Sequence, residues 1–373
     1  DKLSRHQLFM PQIIDWNVLK PAVQNKRCVL FLGPEAYPFD AGETVETAMW
    51  KATAEDVSLV RYFYRDDGLV LFQKKSNRGR FLETVQQFFD DPEKDWSLTH
   101  LQLEKIVRLP FLAIVNLTFD DLLLRHYREA GLDCQAMHYI FRPSLTEKPI
   151  SDLSLDGEKP VVLNLLGSIR SSDNLVLTHN DLFDFLRSLF DDKDQWLQEL
   201  LHEADCFLFI GVPFEKWYLQ LLLQKLSKYK KSHDEAERYA LPDKKEIKMQ
   251  ELYSHELKIQ FVEELQQDVI EELYRFCEER DLLHKAGTTP RAYKKEALQA
   301  IHRSLLRGEI DKAIEAFLAF AQQDRPLTDE LTLISAQYQT WQKERAGMKT
   351  EEGNIVRNKM VKALLYLLGE ADG

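Results

Sequence analysis

The sequence has no cysteine cluster, no long apolar run and no surplus of positive charge. Its four cysteines, Cys28, Cys134, Cys206 and Cys277, stand too far apart for metal-ligand spacing, and two of them lie in apolar, strand-like runs. They read as reduced core residues of a cytoplasmic protein, not as a zinc site or a disulfide framework. No apolar run approaches the roughly 18 residues that a transmembrane helix needs. The opening residues lack the charged-then-apolar pattern of a secretion signal. Acidic residues outnumber basic ones by 61 to 49, a formal charge of −12. That balance argues against nucleic acid or an anionic membrane as a partner.

What is present suffices for two domains. The chain has 373 residues, of which 44% are hydrophobic and 11% aromatic, enough for more than one packed core. Through the first two-thirds, short apolar runs alternate with helix-like stretches. The strand candidates are "CVLFLG" from Cys28, "FLAIVNLT" from Phe111, "VVLNLLG" from Val161, "CFLFIG" from Cys206 and "KIQFV" from Lys258. Between them, "RFLETVQQFFDD", "DDLLLRHYREAG" and "HNDLFDFLRSLF" show three-to-four-residue apolar spacing, the last with Asn180 as an N-cap. This pattern predicts an α/β fold: a Rossmann-like parallel sheet with helices on both faces. Ligands of such sheets bind beyond the carboxyl ends of the strands, where Gly33, Thr118, Gly167 and Gly211 fall. The charged stretch from Ser227 to Gln250 lacks an apolar stripe and reads as a solvent-facing loop or helix extension. In "VPFEKWYLQLLL", Trp217, Tyr218 and Leu221 to Leu223 make a dense apolar helix. Core packing explains it, with an oligomer face as the alternative.

The character changes after a linker at 284–292, which contains Gly287 and Pro290. Residues 293–373 carry no strand pattern. "EALQAIHRSLLRGEIDKAIEAFLAFAQQ", "DELTLISAQYQTWQKERAG" and "TEEGNIVRNKMVKALLYLLGE" predict a small all-α bundle of about four helices. This segment has 12 basic and 12 acidic residues, so the whole charge of −12 belongs to residues 1–292. The segment has no cysteine, one histidine (His302) and no acid–base constellation. A role as a stability cap on the first domain is one reading of it.

The order of pieces in the first part resembles the bacterial sirtuin-like domains, the NAD-consuming relatives of protein deacetylases found in antiphage effectors. The resemblance spans roughly residues 15–281 and rests on a succession: "FLGPEA", "VNLTFDDLLLRHY", "LNLLGSI" with "LVLTHNDLFDFL", "CFLFIGVPFEKWYLQLLL", then "IQFV" with "DVIEELYRF". It implies an NAD site on the loops after these strands, and three loops depart from the family's pattern. In the first, two glycines normally flank a small residue and let the dinucleotide approach bare amides. Here Gly33 is followed by Pro34, which has no amide hydrogen, and by Glu35, whose carboxylate opposes a phosphate. In the second, Thr118 stands where an asparagine would position the nicotinamide ribose and the attacking water. Phe119 and Asp120 match the family, and Asn116 lies two residues early. In the third, Leu166 precedes Gly167-Ser168 where a histidine is usual, and losing a general base costs about 10²–10⁴-fold in rate.

The resemblance therefore implies a pocket formed by Gly33, Glu35, Thr118, Asp120, Gly167, Ser168 and Gly211, without catalytic residues and without a required cofactor. NAD or an ADP-ribose-like ligand remains the alternative occupant. A retained activity would use Thr118, Asp120 and a histidine, with His138, His126 and His179 as candidates by sequence. A plain α/β sheet with no ligand is the third reading. An acid such as Asp120 also suits a helix N-terminus and would brace the helix after its strand.

The tail resembles the effector-associated domains of bacterial conflict systems, in particular the type-eleven group. The resemblance rests on the break at Gly308-Glu309, the one-sided apolar face of "LTLISAQYQTW", the turn at Gly347, and Asn354, Arg357 and Asn358 on helical spacing. It implies an adaptor that pairs with a matching domain on a partner such as a protease or another effector. Together the two resemblances imply a non-catalytic adaptor or sensor of an antiphage or programmed-death system. The alternative is an NAD-degrading effector with unconventional catalytic residues.

Overall fold

In the first strand every residue from Cys28 to Leu32 is buried, and successive side chains serve opposite layers. Cys28, Leu30 and Leu32 join one apolar cluster, whereas Val29 and Phe31 join a second. A strand apolar on both faces must be covered on both, and this requirement organises the domain. The structure is a computed structural model that describes residues 13–40, 42–54, 56–91, 93–143, 155, 159–169, 172–191, 195–228, 236–242, 250–285, 301, 305, 310–320, 325–344, 359–365 and 367. The chain divides into two compact units, Asp1–Lys285 and Ala286–Gly373.

Unit 1 is built on a seven-stranded sheet. Its strands are β1 (Cys28–Leu32), β6 (Ala113–Asn116), β7 (Gln135–His138), β8 (Val161–Asn164), β9 (Cys206–Ile210), β10 (Glu237–Leu241) and β11 (Gln260–Phe261), in the order β11-β10-β9-β1-β6-β8-β7. Each neighbouring pair is parallel. Two small antiparallel hairpins stand apart from it: β2 (Pro38–Asp40) with β3 (Glu43–Thr44), and β4 (Val60–Tyr64) with β5 (Leu69–Phe72).

One face of the sheet packs against α1 (Trp16–Gln24), α2 (Val45–Thr53), α3 (Asn77–Asp90), α4 (Ser97–Ile106), α5 (Leu122–Glu129) and α10 (Gln266–Glu279). The other packs against α6 (His179–Phe190), α7 (Gln195–His202), α8 (Trp217–Ser227) and α9 (Gln250–Glu256). The Rossmann-like architecture expected from the alternating pattern is therefore present, with helices on both faces. All four cysteines are free thiols; Cys28, Cys206 and Cys277 are buried, and Cys28 and Cys206 are register partners of β1 and β9.

Three local expectations need correction. The stretch read as a solvent-facing loop contains β10, whose residues Arg238 to Leu241 are buried. Five strand residues are too few to show a period among so many charges. Arg238 escapes the usual penalty because its guanidinium donates to the Leu257 carbonyl oxygen at 2.8 Å and lies over the Phe207 ring. The N-cap of α6 is Thr178, not Asn180: its hydroxyl accepts from the Asp181 amide at 3.2 Å, and the Asp181 carboxylate accepts from the Thr178 amide at 3.0 Å. This reciprocal box satisfies two groups where Asn180 would satisfy one. Finally, α8 has two faces. Tyr218, Leu222 and Leu223 are buried, whereas Trp217 and Leu221 are 37% and 38% exposed.

Unit 2 shows the expected amphipathic helices. In α11 (Ile310–Phe320), Ile310, Ala313, Ile314 and Phe317 share one face and are buried. They meet Leu331, Ile334, Tyr338 and Trp341 of α12 (Arg325–Glu344), and Met360, Leu364 and Leu367 join the same core. Outside the described residues lie His302, Gly308, Glu309, Gly347, Asn354, Arg357, Asn358 and linker residues 286–292.

The carboxyl ends of β1 and β9 meet at the point where the chain order of the sheet reverses. There the loops pack backbone on backbone. A Cβ on Gly33 would stand 2.1 Å from the Gly211 carbonyl oxygen, and one on Gly211 would stand 2.0 Å from the Ala36 nitrogen. Gly211 also has φ +61°. Gly211→Ala therefore adds overpacking to left-handed strain, a destabilisation of about 2–4 kcal/mol. Denaturant unfolding followed by tryptophan fluorescence measures it, and a loss below about 0.5 kcal/mol, within the range of ordinary surface changes, would show that the loops separate freely.

Candidate functional site

The loops at the carboxyl ends of the strands surround a cleft of about 660 Å³, counting its open mouth. It lies where parallel α/β sheets place their ligands. Pro34 and Tyr37 enter from the first loop, Thr118 and Asp120 from the second, Leu166 from the third and Lys216 from the fourth. Glu46 and Met49 of α2 close one side.

The floor is a buried polar network. Asn116 and Asn164 end β6 and β8 and are register partners. The Asn116 side-chain amide donates to Asn164 Oδ1 at 3.0 Å. Its own Oδ1 accepts from the Tyr37 hydroxyl at 3.2 Å and from the Thr118 hydroxyl at 3.0 Å. Asn116 is 1% exposed and Asn164 2%, so these bonds meet the requirement that buried polar groups be paired. Thr118 thus lines the cleft with its single hydroxyl proton within reach of two acceptors, Asn116 and Asp120.

Asp120 is buried beside this network and accepts the Leu122 amide at 3.0 Å. It braces the first turn of α5. Burial is the main cause that pushes its carboxyl up to about 6; the hydrogen bonds from Thr118 and from the Leu122 amide pull the other way. Burial, followed by the Asp120 charge, holds the Tyr37 phenol well above its ordinary range.

Across the cleft, Lys216 Nζ donates to Glu46 Oε1 at 3.2 Å. Burial works to lower the Lys216 value, but Glu46 and Tyr218 outweigh it and keep the ammonium charged. This pair went unnoticed in the sequence. No local spacing joins residues 46 and 216, and only the fold brings them together.

The other residues singled out from sequence fall outside the cleft lining. Gly33, Glu35 and Gly211 form the backbone contact between the first and fourth loops. The Gly33 amide donates to the Ile210 carbonyl at 2.9 Å, the Glu35 amide to Gly211 at 3.0 Å and the Ala36 amide to Gly33 at 3.1 Å. Gly167 packs on the 172–174 turn, where a Cβ would stand 1.8 Å from the Asn174 carbonyl oxygen. Ser168 beside it is buried.

The three histidines are dispersed. His126 sits on α5 with its Nε2 at 2.6 Å from His100 Nδ1. His138 ends the edge strand β7, as the register partner of Asn164. His179 opens α6, with its Nε2 at 3.0 Å from Asp67 Oδ2. Among the described residues, no histidine or cysteine lines the cleft.

Comparison with known families agrees with this geometry. Residues 112–262 match the model of the SIR2-like domain. Residues 296–372 match effector-associated domain 11. The chain joins a SIR2-like domain to an effector-associated domain. The pairing indicates a component of a conflict or defence system, in which the second domain serves protein–protein association. A search of curated proteins finds no match to the chain. The second, third and fourth loops of the cleft fall within the matched residues 112–262, and the first loop lies before them.

The Asp120 carboxyl offers a test of these electrostatics. Its folded value lies above the ordinary 3.8, so the folded state holds the proton more tightly. The ionised form then costs stability: nothing below about pH 4, and the full amount above about pH 6. Asp120→Asn keeps an acceptor for the Leu122 amide and removes the charge. Its stability relative to the unsubstituted protein should rise between pH 4 and pH 8 by about 3 kcal/mol, measured by denaturant unfolding at both values. A pH-independent difference would place the Asp120 carboxylate in contact with water.

Proposed function

We propose that this protein is a non-catalytic adaptor or sensor of a bacterial conflict system, whose effector-associated domain recruits a partner that carries a matching domain. The carrying observation is the contact between the first and fourth loops. The amides of Gly33, Glu35 and Ala36 donate to carbonyls of the chain itself. The backbone that would cradle a pyrophosphate is spent within the protein: the Glu35 amide on Gly211 of the fourth loop, the Gly33 amide on Ile210 of β9 and the Ala36 amide on its own turn. A dinucleotide site needs free donors at that turn, and Pro34 has none to give.

Two further features support the reading. Leu166 faces the cleft where a sirtuin-like domain would hold its histidine, and it can neither accept nor return a proton. The Thr118 hydroxyl donates to Asn116. In this account the SIR2-like domain is a platform that senses or docks, and signalling runs through the effector-associated domain. That domain has equal numbers of acidic and basic residues over 293–373, which lets complementary patches pair two similar copies.

One observation favours a second reading, an NAD-degrading effector. Asp120 is a carboxyl raised to about 6 in a cleft, a range suited to acid–base work near neutral pH. Full-length protein incubated with NAD separates the two. No nicotinamide release above that of Asp120→Asn is expected, with or without the partner. Release by the unsubstituted protein that Asp120→Asn abolishes would overturn the adaptor reading.

Recruitment is tested with a neighbouring-gene protein that bears its own effector-associated domain. Full-length chain should bind it, and Phe317→Ala should abolish binding because it removes a fully buried ring from the unit 2 core, a loss of about 3–5 kcal/mol. Binding that survives after circular dichroism shows the variant's unit 2 to be unfolded would place the interface elsewhere.

A further inference from the structure

A cluster of ligating side chains lies on the helical layer beyond the cleft, on α4 and α5. His126 is 6% exposed. Its Nδ1 lies 2.9 Å from the Leu122 carbonyl oxygen. A carbonyl oxygen can only accept, so Nδ1 carries the hydrogen. In the neutral ring this leaves the Nε2 lone pair directed outward. That lone pair meets His100 Nδ1 at 2.6 Å, from the neighbouring helix. Glu129 follows His126 by three residues and so shares its face of α5. One ligand atom from each of His100, His126 and Glu129 lies within 4.8 Å of the other two.

We propose that His100, His126 and Glu129 form a binding site for one divalent transition-metal ion of the zinc class. Two imidazoles and a carboxylate are a donor set that zinc accepts, with a fourth position left for water or a further ligand. A histidine whose second nitrogen donates to a backbone carbonyl is the usual arrangement of a metal ligand, because that bond fixes the tautomer and aims the ring. A plain bond from His100 Nδ1–H to His126 Nε2 would account for the two rings but gives no role to the convergent Glu129 carboxylate. The two nitrogens open to about 3.3 Å around a tetrahedral ion with bonds near 2.0–2.1 Å, an adjustment that turning the His100 side chain supplies.

The surrounding charges favour a cation. Glu104, one turn beyond His100 on α4, acts on His126 with the same sign as Glu129. The nearby cations are engaged: Arg125 bridges Asp121 at 2.8 Å and Asp90 at 2.6 Å, and Arg128 lies 3.6 Å from Asp121. An ion at this point ties α4 to α5. Because α5 starts directly after the second loop, the tie also fixes Thr118 and Asp120 relative to the sheet. The site is separate from the cleft and independent of whether the cleft binds anything.

The test uses full-length protein stripped with a chelator and then titrated with zinc against a chromophoric competitor. Cobalt serves as a spectroscopic substitute. One ion per chain is expected, with a visible cobalt band and a higher melting temperature in zinc. His100→Ala and Glu129→Gln lie on different helices and leave the apolar core intact. Each should weaken zinc binding about 10-fold or more and abolish the rise in melting temperature. Absence of stoichiometric binding by the unsubstituted protein overturns the proposal. So does unchanged zinc affinity in either variant.

Discussion

The contact that the rest of unit 1 depends on is the backbone-to-backbone seat between the turn after β1 and the turn after β9. The two strands are neighbours in the sheet, yet the chain inserts three more sheet strands, β6, β7 and β8, on the far side before it returns to form β9. A fold wound in this way leaves a crevice at the reversal, and most such folds leave it for a ligand. Here Gly33 and Gly211 fill it with main chain. Neither position has room for a Cβ. The interaction supplies its own donors and acceptors, so it needs no bound anion to satisfy the amides. A turn of the shape that phosphate sites use is thus stabilised by a neighbouring loop instead.

Around that seat the cleft combines an apolar lining with a polar floor. Asn116, Asn164, Tyr37 and Thr118 form a connected network beneath it, and each bond uses a donor that would otherwise be buried without a partner. The network holds the loop ends at fixed register but commits the groups that could meet a substrate. Asp120 is the exception. It is a carboxyl whose burial pushes its titration up to about 6, and its bond to Leu122 belongs to α5. Both of the functions open to it, bracing a helix and moving a proton, draw on the same carboxylate, and ionisation favours the first.

Much of this was legible in the sequence, and the parts that were not have physical reasons. β1, β6, β8 and β9 announced themselves because strands buried on both faces are apolar runs that end in a glycine or a polar residue. The order of those runs carried the family resemblance. The helical unit was legible because Ile310, Ile314 and Phe317 repeat at helical spacing over a long window. By contrast, β10 is five residues long within a charged stretch, and the hairpins β2–β3 and β4–β5 are too short to display alternation. The Glu46–Lys216 and His100–His126 pairs are long-range products of the fold, invisible to spacing along the chain. The role of Gly33 was the subtlest case. Sequence marked it as a residue for close approach and named a dinucleotide as what approaches; the group packed against it is the carbonyl of Gly211.

The division of charge connects fold to function. All of the excess acidity belongs to residues 1–292, and the effector-associated segment is balanced. Two copies of unit 1 approaching each other meet like charge, which salt screens beyond roughly 8 Å but not at contact. Any self-association of that unit must therefore draw on its apolar exposed groups, such as Trp217 and Phe183, whose rings lie 6.4 Å apart between α8 and α6. Two balanced helical units meet no such barrier. Association through the small domain is thus electrostatically permitted where association through the large one is opposed. The charge distribution thus sets the balanced tail, rather than the acidic body, as the electrostatically easier surface for pairing like with like.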